Sequence, residues 1–335
     1  MTIDMHTHFV PEAMVAELRK RTAPPWIEAM PDGTERIHLP IEHLAFGSDY
    51  MDMGARIAFM DARGVDRQLL SFPGLFGLDS LPADESLPLL SLFNDEAAAL
   101  SKAHPDRFAG LAALPFADMP KAVAELRRCC GPDGGLGLAG AILPNNAFVS
   151  IAEAEKLRPV FEAGNEIGLH FFVHPGRRPD EVPPPGAAPT PPFPDTVFAR
   201  QALGVQANVA QATATLLFSD FLNDYPNVTV HMANLGGSLP MVIERMEHVA
   251  ETRGIDGDRP MKRARSSRLH VDCSSLGPRA LEIAVAVFGA DKIVVGTDCP
   301  IFSTDWTLAA IRDAAITDAD RQAILHENAA RLLGA

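Results

Sequence analysis

Cysteine is scarce in this chain of 335 residues. Its four, Cys129, Cys130, Cys273 and Cys299, include one adjacent pair and no Cys-x-x-Cys spacing. That pattern argues for a reduced, cytoplasmic setting over a disulfide framework. No uninterrupted apolar run is long enough for a membrane span. The start, Met-Thr-Ile-Asp-Met-His, has no basic stretch before an apolar core, so no signal peptide is expected. Positive charge is in deficit: 29 Lys and Arg stand against 43 Asp and Glu, for a net charge of −14. Nucleic acid is therefore excluded as the expected partner, because phosphate binding wants a basic face. The whole-molecule field does not steer an anionic substrate either, so a carboxylate would need local arginines. There is no internal repeat, and no Gly-rich fingerprint follows the first apolar run, which weighs against a doubly wound sheet.

What is present is a large apolar fraction, 47%, with 21% charged residues. Apolar strand-like runs at 3–5, 67–71, 108–113, 138–143, 168–173, 228–232, 269–273 and 292–296 alternate with amphipathic stretches at 53–62, 87–103, 119–129, 152–163, 200–222, 239–250, 278–288 and 318–333. Strands and helices alternating eight times predict an α/β fold, the (β/α)8 TIM barrel, as a single domain over 1–335. Two insertions interrupt it. Residues 22–52 follow the first strand and show no clear period. Residues 175–194 follow the fifth and are rich in proline, as a stiff surface loop or as a rim element shaping the pocket.

Chemistry in such a barrel gathers at the C-terminal strand ends. Strand one ends in Met5-His6-Thr7-His8, and a period of two sends both histidines to one face. His174 ends strand five. Strand six carries His231 and ends near Asn234. Strand seven ends in Asp272, and strand eight runs into Gly296-Thr297-Asp298-Cys299-Pro300. Three histidines and one aspartate can bind one zinc and keep a position open. Strand four, Gly140-Ala141-Ile142-Leu143, offers no bridging carboxylate or lysine, so a single metal is expected. Arg36, Arg56, Arg177 and Arg178 can clamp a substrate carboxylate, or serve as surface charge. His170, four residues before His174, reads better as a hydrogen-bonded barrel histidine than as a ligand.

At this point the chain resembles the amidohydrolase superfamily, in its amino-carboxymuconate-semialdehyde decarboxylase branch. The resemblance runs over nearly the whole chain. It is carried by Asp4-Met5-His6-Thr7-His8, by Phe172-Val173-His174-Pro175 and by Gly296-Thr297-Asp298-Cys299-Pro300, with support from Met60-Asp61-Ala62-Arg63-Gly64-Val65, Asn94-Asp95 and the run from His104 to Leu111. The resemblance implies one divalent ion, zinc with manganese as the alternative, held by His6, His8, His174 and Asp298. It also implies a homodimer acting on a small carboxylic acid.

One departure bears on mechanism. Counting without gaps from Pro226 to Pro240, Asn234 falls where the family carries a histidine. An amide can orient a group but cannot exchange protons near neutrality. Asp298, Asp272, His231 and metal-bound water are then the candidate proton carriers, with Asn234 orienting. The expected activity is non-oxidative decarboxylation of an aromatic or unsaturated acid. The alternatives are metal-dependent hydrolysis of an amide, lactone or carbon–carbon bond, and hydration.

Overall fold

A computed structural model describes residues 1–40, 43–182, 198–255, 257 and 259–334. Its strands, in chain order, are β1 (Ile3–His8), β2 (Trp26–Ala29), β3 (Glu35–His38), β4 (His43–Phe46), β5 (Arg67–Ser71), β6 (Phe108–Ala112), β7 (Gly140–Pro144), β8 (His170–His174), β9 (Thr229–Met232), β10 (Leu269–Asp272) and β11 (Ile293–Val294). Eight of them pair in the order β1-β5-β6-β7-β8-β9-β10-β11. The last strand meets the first through bridges from Asp4 to Val295 and from Thr7 to Cys299. The Met5 amide reaches the Val295 carbonyl at 2.8 Å and the His8 amide the Cys299 carbonyl at 2.7 Å. The sheet thus closes as the expected (β/α)8 barrel.

Strands β6, β7 and β8 are buried along their whole length, as parallel strands are when helices cover one face and the barrel interior fills the other. Two cores result. The larger lies between sheet and helices. The smaller fills the barrel with Ile3, Met5, Leu69, Leu111, Ile142, Phe172 and Val294, and the last helix, Asn328–Leu333, packs Ala329, Leu332 and Leu333 against it.

A bulge in β1 sets the direction of the first two histidines. Asp4 pairs with Gln68 and Thr7 with Leu70, so Met5 and His6 together span the single residue Leu69. The extra residue resets the alternation, a known use of bulges beside functional sites. Met5 and His6 therefore both serve the barrel interior, and Asp4 is left on the other face.

The first insertion differs from expectation. Part of 22–52 forms a three-stranded antiparallel sheet, β2-β3-β4. Ile27 faces Ile37, and Ile37 faces Leu44, making one inward row. Each strand is four residues long and offers two inward positions, too few to register as a period. The predicted helix over 152–163 is also split, into Ile151–Ala154 and Arg158–Ile167. Pro159 opens the second piece, where a missing N–H costs nothing. Of the proline-rich stretch, residues 183–194 lie outside the described residues. The part after His174 carries a short turn, Pro179–Glu181, tied down by Asn146 Nδ2 donating to Glu181 at 2.9 Å.

Candidate metal centre

The bulged end of β1 delivers His6 and His8, the end of β8 delivers His174, and the turn after β11 delivers Asp298. One ligand atom from each lies within 4.8 Å of all the others. His8 Nε2 is 3.2 Å from His174 Nε2 and 3.1 Å from Asp298 Oδ1, and His6 Nε2 is 3.5 Å from the same carboxylate oxygen. Asp298 adopts φ 58°, a left-handed conformation that costs a non-glycine residue and is held by its amide bonding the His6 carbonyl at 2.8 Å.

Each ring is pinned from behind through Nδ1. His174 Nδ1 donates to the Pro175 carbonyl at 2.9 Å, and His6 Nδ1 to Asp272 Oδ2 at 2.9 Å. His8 Nδ1 meets the Ser71 hydroxyl at 3.1 Å and its carbonyl at 3.4 Å. Protons on Nδ1 leave bare Nε2 lone pairs facing one another and a carboxylate. His6 Nε2 and Asp298 Oδ1 are buried with no hydrogen-bond partner. Such an arrangement is costly unless a cation takes the lone pairs. Neutral imidazoles with one carboxylate are donors suited to zinc and its neighbours, so the residues present fit a divalent ion.

In the absence of an ion, a proton competes for the same lone pairs, most strongly at His6. Burial first, then the neighbouring histidines, push His174 well down, and burial pushes His8 down. Burial also opposes charge on His6, but the carboxylates of Asp272 and Asp298 outweigh it and push this imidazole up to about 10. Against its own burial, Asp298 is held far below the usual carboxylate range by His6 and His8.

Asp272 is fully engaged. Beyond His6, its Oδ1 accepts the amides of Ser274 at 2.9 Å and Asn234 at 3.1 Å. Gly296 makes room for it: a Cβ there would stand 2.6 Å from Asp272 Cγ. Asn234 has φ 56°, and its side-chain amide donates to Ser274 Oγ at 2.8 Å and Ser275 Oγ at 3.2 Å. That amide therefore grips the loop after β10. His231 lies deeper in the barrel, stacked on Phe172 at 4.1 Å and sealed from solvent.

Of the candidate clamps, Arg56 has its guanidinium committed to the barrel wall. Arg56 is buried, and its guanidinium donates to the carbonyls of Asp49 at 2.8 Å and His8 at 3.1 Å and to Gln68 at 3.3 Å. It lies behind the histidines, on the wall of a separate cleft of about 450 Å³ shared with Phe59, Cys299 and Phe302. Arg36 sits on β3 opposite Ala45 and Glu28 in the insertion sheet. Arg177 follows His174 along the rim, where its carbonyl accepts the Ser80 hydroxyl at 2.6 Å.

Sequence reasoning gave no role to three residues that brace the donors, Asp4, Thr297 and Ser71. Asp4 accepts from Thr297 Oγ1 at 2.6 Å, from the Thr297 amide at 3.0 Å and from Gln68 at 3.3 Å, so it anchors the turn that presents Asp298. Thr297 stands in the Gly-Thr-Asp run and was visible in that sense. Ser71, the partner of His8, carried no signal beyond its place at a strand end.

Comparison with known proteins places this geometry in context. The amidohydrolase family model matches residues 3–335. The 2-amino-3-carboxymuconate-6-semialdehyde decarboxylase of Dictyostelium discoideum is 28% identical, over 90% of this chain and 82% of that protein. The gamma-resorcylate decarboxylase of a Rhizobium species is 26% identical, over 83% of this chain and 85% of its own length. Among solved structures, a dihydroxybenzoic acid decarboxylase from a Polaromonas species, crystallised with bound manganese and the inhibitor 2-nitroresorcinol, superposes with a TM-score of 0.72 at 21% identity, covering 99% of this chain and 96% of that one.

Proposed function

The chain belongs to the amidohydrolase family, and on that premise we propose that it is a metal-dependent, non-oxidative decarboxylase of an aromatic or unsaturated carboxylic acid. The observation that carries the reading is the convergence of His6, His8, His174 and Asp298 with two of their ligand atoms buried and unpartnered. The relatives named above, decarboxylases of muconate-type and resorcylic acids, supply the reaction class.

These four residues would hold the ion. When bound, it supplies Lewis acidity that stabilises negative charge developing on a substrate oxygen. The chain's own residues do the rest. Asp272, Ser71 and the Pro175 carbonyl keep the imidazole protons on Nδ1, so Nε2 stays bare. Asn234, held by its serines, supplies hydrogen bonding and no proton. Of the carbon-protonating candidates in the chain, Asp272 and His231 are sealed at 0% side-chain exposure, while Asp298 is 9% exposed. We assign the proton transfer to the Asp298 carboxyl. The carboxylate would take that proton from solvent and pass it to the carbon that loses carbon dioxide, returning to its ionised form.

Zinc is the proposed ion on donor chemistry, with manganese as the competitor to test, since the Polaromonas relative binds it. Four buried free cysteines support a cytoplasmic setting. Exposed Phe302, Trp306 and Met241 are apolar surface that a second subunit of a homodimer would cover. No helix among the described residues is long and apolar enough to cross a membrane.

The test is a screen of dihydroxybenzoates and muconate-type acids with zinc- and manganese-loaded protein in labelled water. Carbon dioxide release without added oxidant is expected, and its loss in the Asp298→Ala, His174→Ala double variant together with the metal. Labelled oxygen in products that keep every substrate carbon would instead make the protein a hydrolase. Asn234 at the family histidine position is the feature that favours that second reading.

A further inference from the structure

Beneath the four donors runs a line of polar groups, half-buried at Thr229 and buried from His170 on, that the proposed reaction does not use. Thr229 Oγ1 stands 2.8 Å from His170 Nδ1, and His170 Nε2 stands 2.7 Å from His231 Nδ1. His231 Nε2 is buried without a hydrogen-bond partner, and the nearest carboxylate oxygen, Asp272 Oδ2, is 3.9 Å away. That same oxygen accepts the proton of His6 Nδ1. The line is built from strand register: His170 pairs with Thr229, and Phe172 with His231. His231 lies flat on Phe172, with 6° between the rings, so its plane is fixed.

We propose that His170 and His231 are a neutral, directional histidine pair that positions the metal ligand His6 through Asp272. The inference rests on the four-donor reading of the metal site. Two proton arrangements satisfy the 2.7 Å contact between the imidazoles. In one, His231 Nδ1 donates to His170 Nε2, and the bare lone pair of His231 Nε2 faces the Asp272 carboxylate. In the other, Thr229 donates to His170 Nδ1, His170 Nε2 donates to His231 Nδ1, and His231 presents its Nε2–H to Asp272. The first sets two negative ends against each other where no water screens them. The second turns the positive end of an N–H dipole toward the Asp272 oxygen, 3.9 Å away. Burial pushes His170 down to about 3 and His231 well down, so neither ring carries a charge of its own.

The consequence falls on His6. Asp272, accepting from Nδ1, holds that proton in place and leaves Nε2 to the ligand cluster. Supporting groups of this kind are typically worth 10–100-fold in metal affinity. His170 and His231 are positioning residues, since neither reaches the ion or a substrate.

Nitrogen-15 spectra of histidine-labelled, zinc-loaded protein read the tautomers directly. The expected result is Nε2–H with bare Nδ1 for both His170 and His231. Nδ1–H with bare Nε2 at His231 overturns the proposal, and this readout needs no variant. Zinc titration supplies the second arm. His231→Phe keeps the stack on Phe172 and should weaken zinc roughly tenfold. His231→Gln, which can turn an amide N–H toward Asp272, should recover most of the loss. A His231→Phe protein that binds zinc within twofold of the parent, while Asp298→Ala loses it, defeats this inference and leaves the metal site standing. Normal zinc binding in Asp298→Ala would defeat the metal-site reading itself.

Discussion

Single atoms decide the behaviour of this centre. At Gly296 the nearest obstacle to a side chain is Asp272 Cγ, at 2.6 Å. Gly296→Ala should drive Asp272 off His6, costing about 1–3 kcal/mol by overpacking and roughly tenfold or more in zinc affinity. Unchanged zinc titration in a folded Gly296→Ala protein would show that His6 does not depend on Asp272. A second buried acid behaves differently. Asp79, in the turn Leu78–Ser80 after β5, meets the Ser80 hydroxyl at 3.4 Å and the backbone amides of its own turn, and these contacts do not outweigh its burial. Burial pushes its carboxyl up to about 7. In the unfolded chain it ionises near pH 4, so from there to pH 7 the folded state binds the extra proton. Stability therefore falls as pH rises through that window, by on the order of 4 kcal/mol once the folded carboxyl has ionised. Asp79→Asn should flatten the slope and be the more stable protein at pH 8. Parallel urea-unfolding curves for the two proteins at pH 5 and pH 8 would refute this.

At the level of elements, the bulge in β1 matters more than the His-x-His motif. Strand period alone puts His6 and His8 on one face, as both sequence and structure have it. It also puts Asp4 on that face, and there the structure differs, because the extra residue between Asp4 and Thr7 turns the histidines inward and leaves Asp4 to hold Thr297. No residue type announces a bulge, so the bracing role of Asp4 was not legible. The sheet β2-β3-β4 was illegible for another reason, the shortness of its strands. Its inward row centres on Ile37, which is fully buried. Ile37→Ala should cost about 2–4 kcal/mol. A change in thermal midpoint too small to measure would mean that the sheet is docked loosely on the barrel.

For the molecule as a whole, the four donors come from β1, β8 and the turn after β11, so an ion bound by them ties the seam where the barrel closes to the strand across from it. Binding to the folded state alone stabilises by mass action, and no such cluster survives unfolding. Removing metal with a chelator should lower the calorimetric midpoint by several degrees, and adding zinc back should restore it. A midpoint indifferent to chelation would place the metal, if any, outside this cluster. The negative overall charge adds no general attraction for an anionic ligand.

The sequence by itself determined the barrel, because eight apolar runs alternating with amphipathic ones leave few other ways to bury both faces of a parallel sheet. It also brought forward the strand-end histidines and aspartates, whose chemistry travels with them, and the family resemblance picked the four donors from that longer set. Tertiary structure decided what surrounds them. Arg56 had the chemistry of a substrate clamp, yet its donors go to the carbonyls of His8 and Asp49. His231 had the chemistry of an acid–base group, yet stacking on Phe172 seals it below the site. The physical reason is the same in both cases. Residue type fixes what a side chain can do, while burial and the direction of its hydrogen bonds, which arise between strands far apart in the chain, fix which partner receives it.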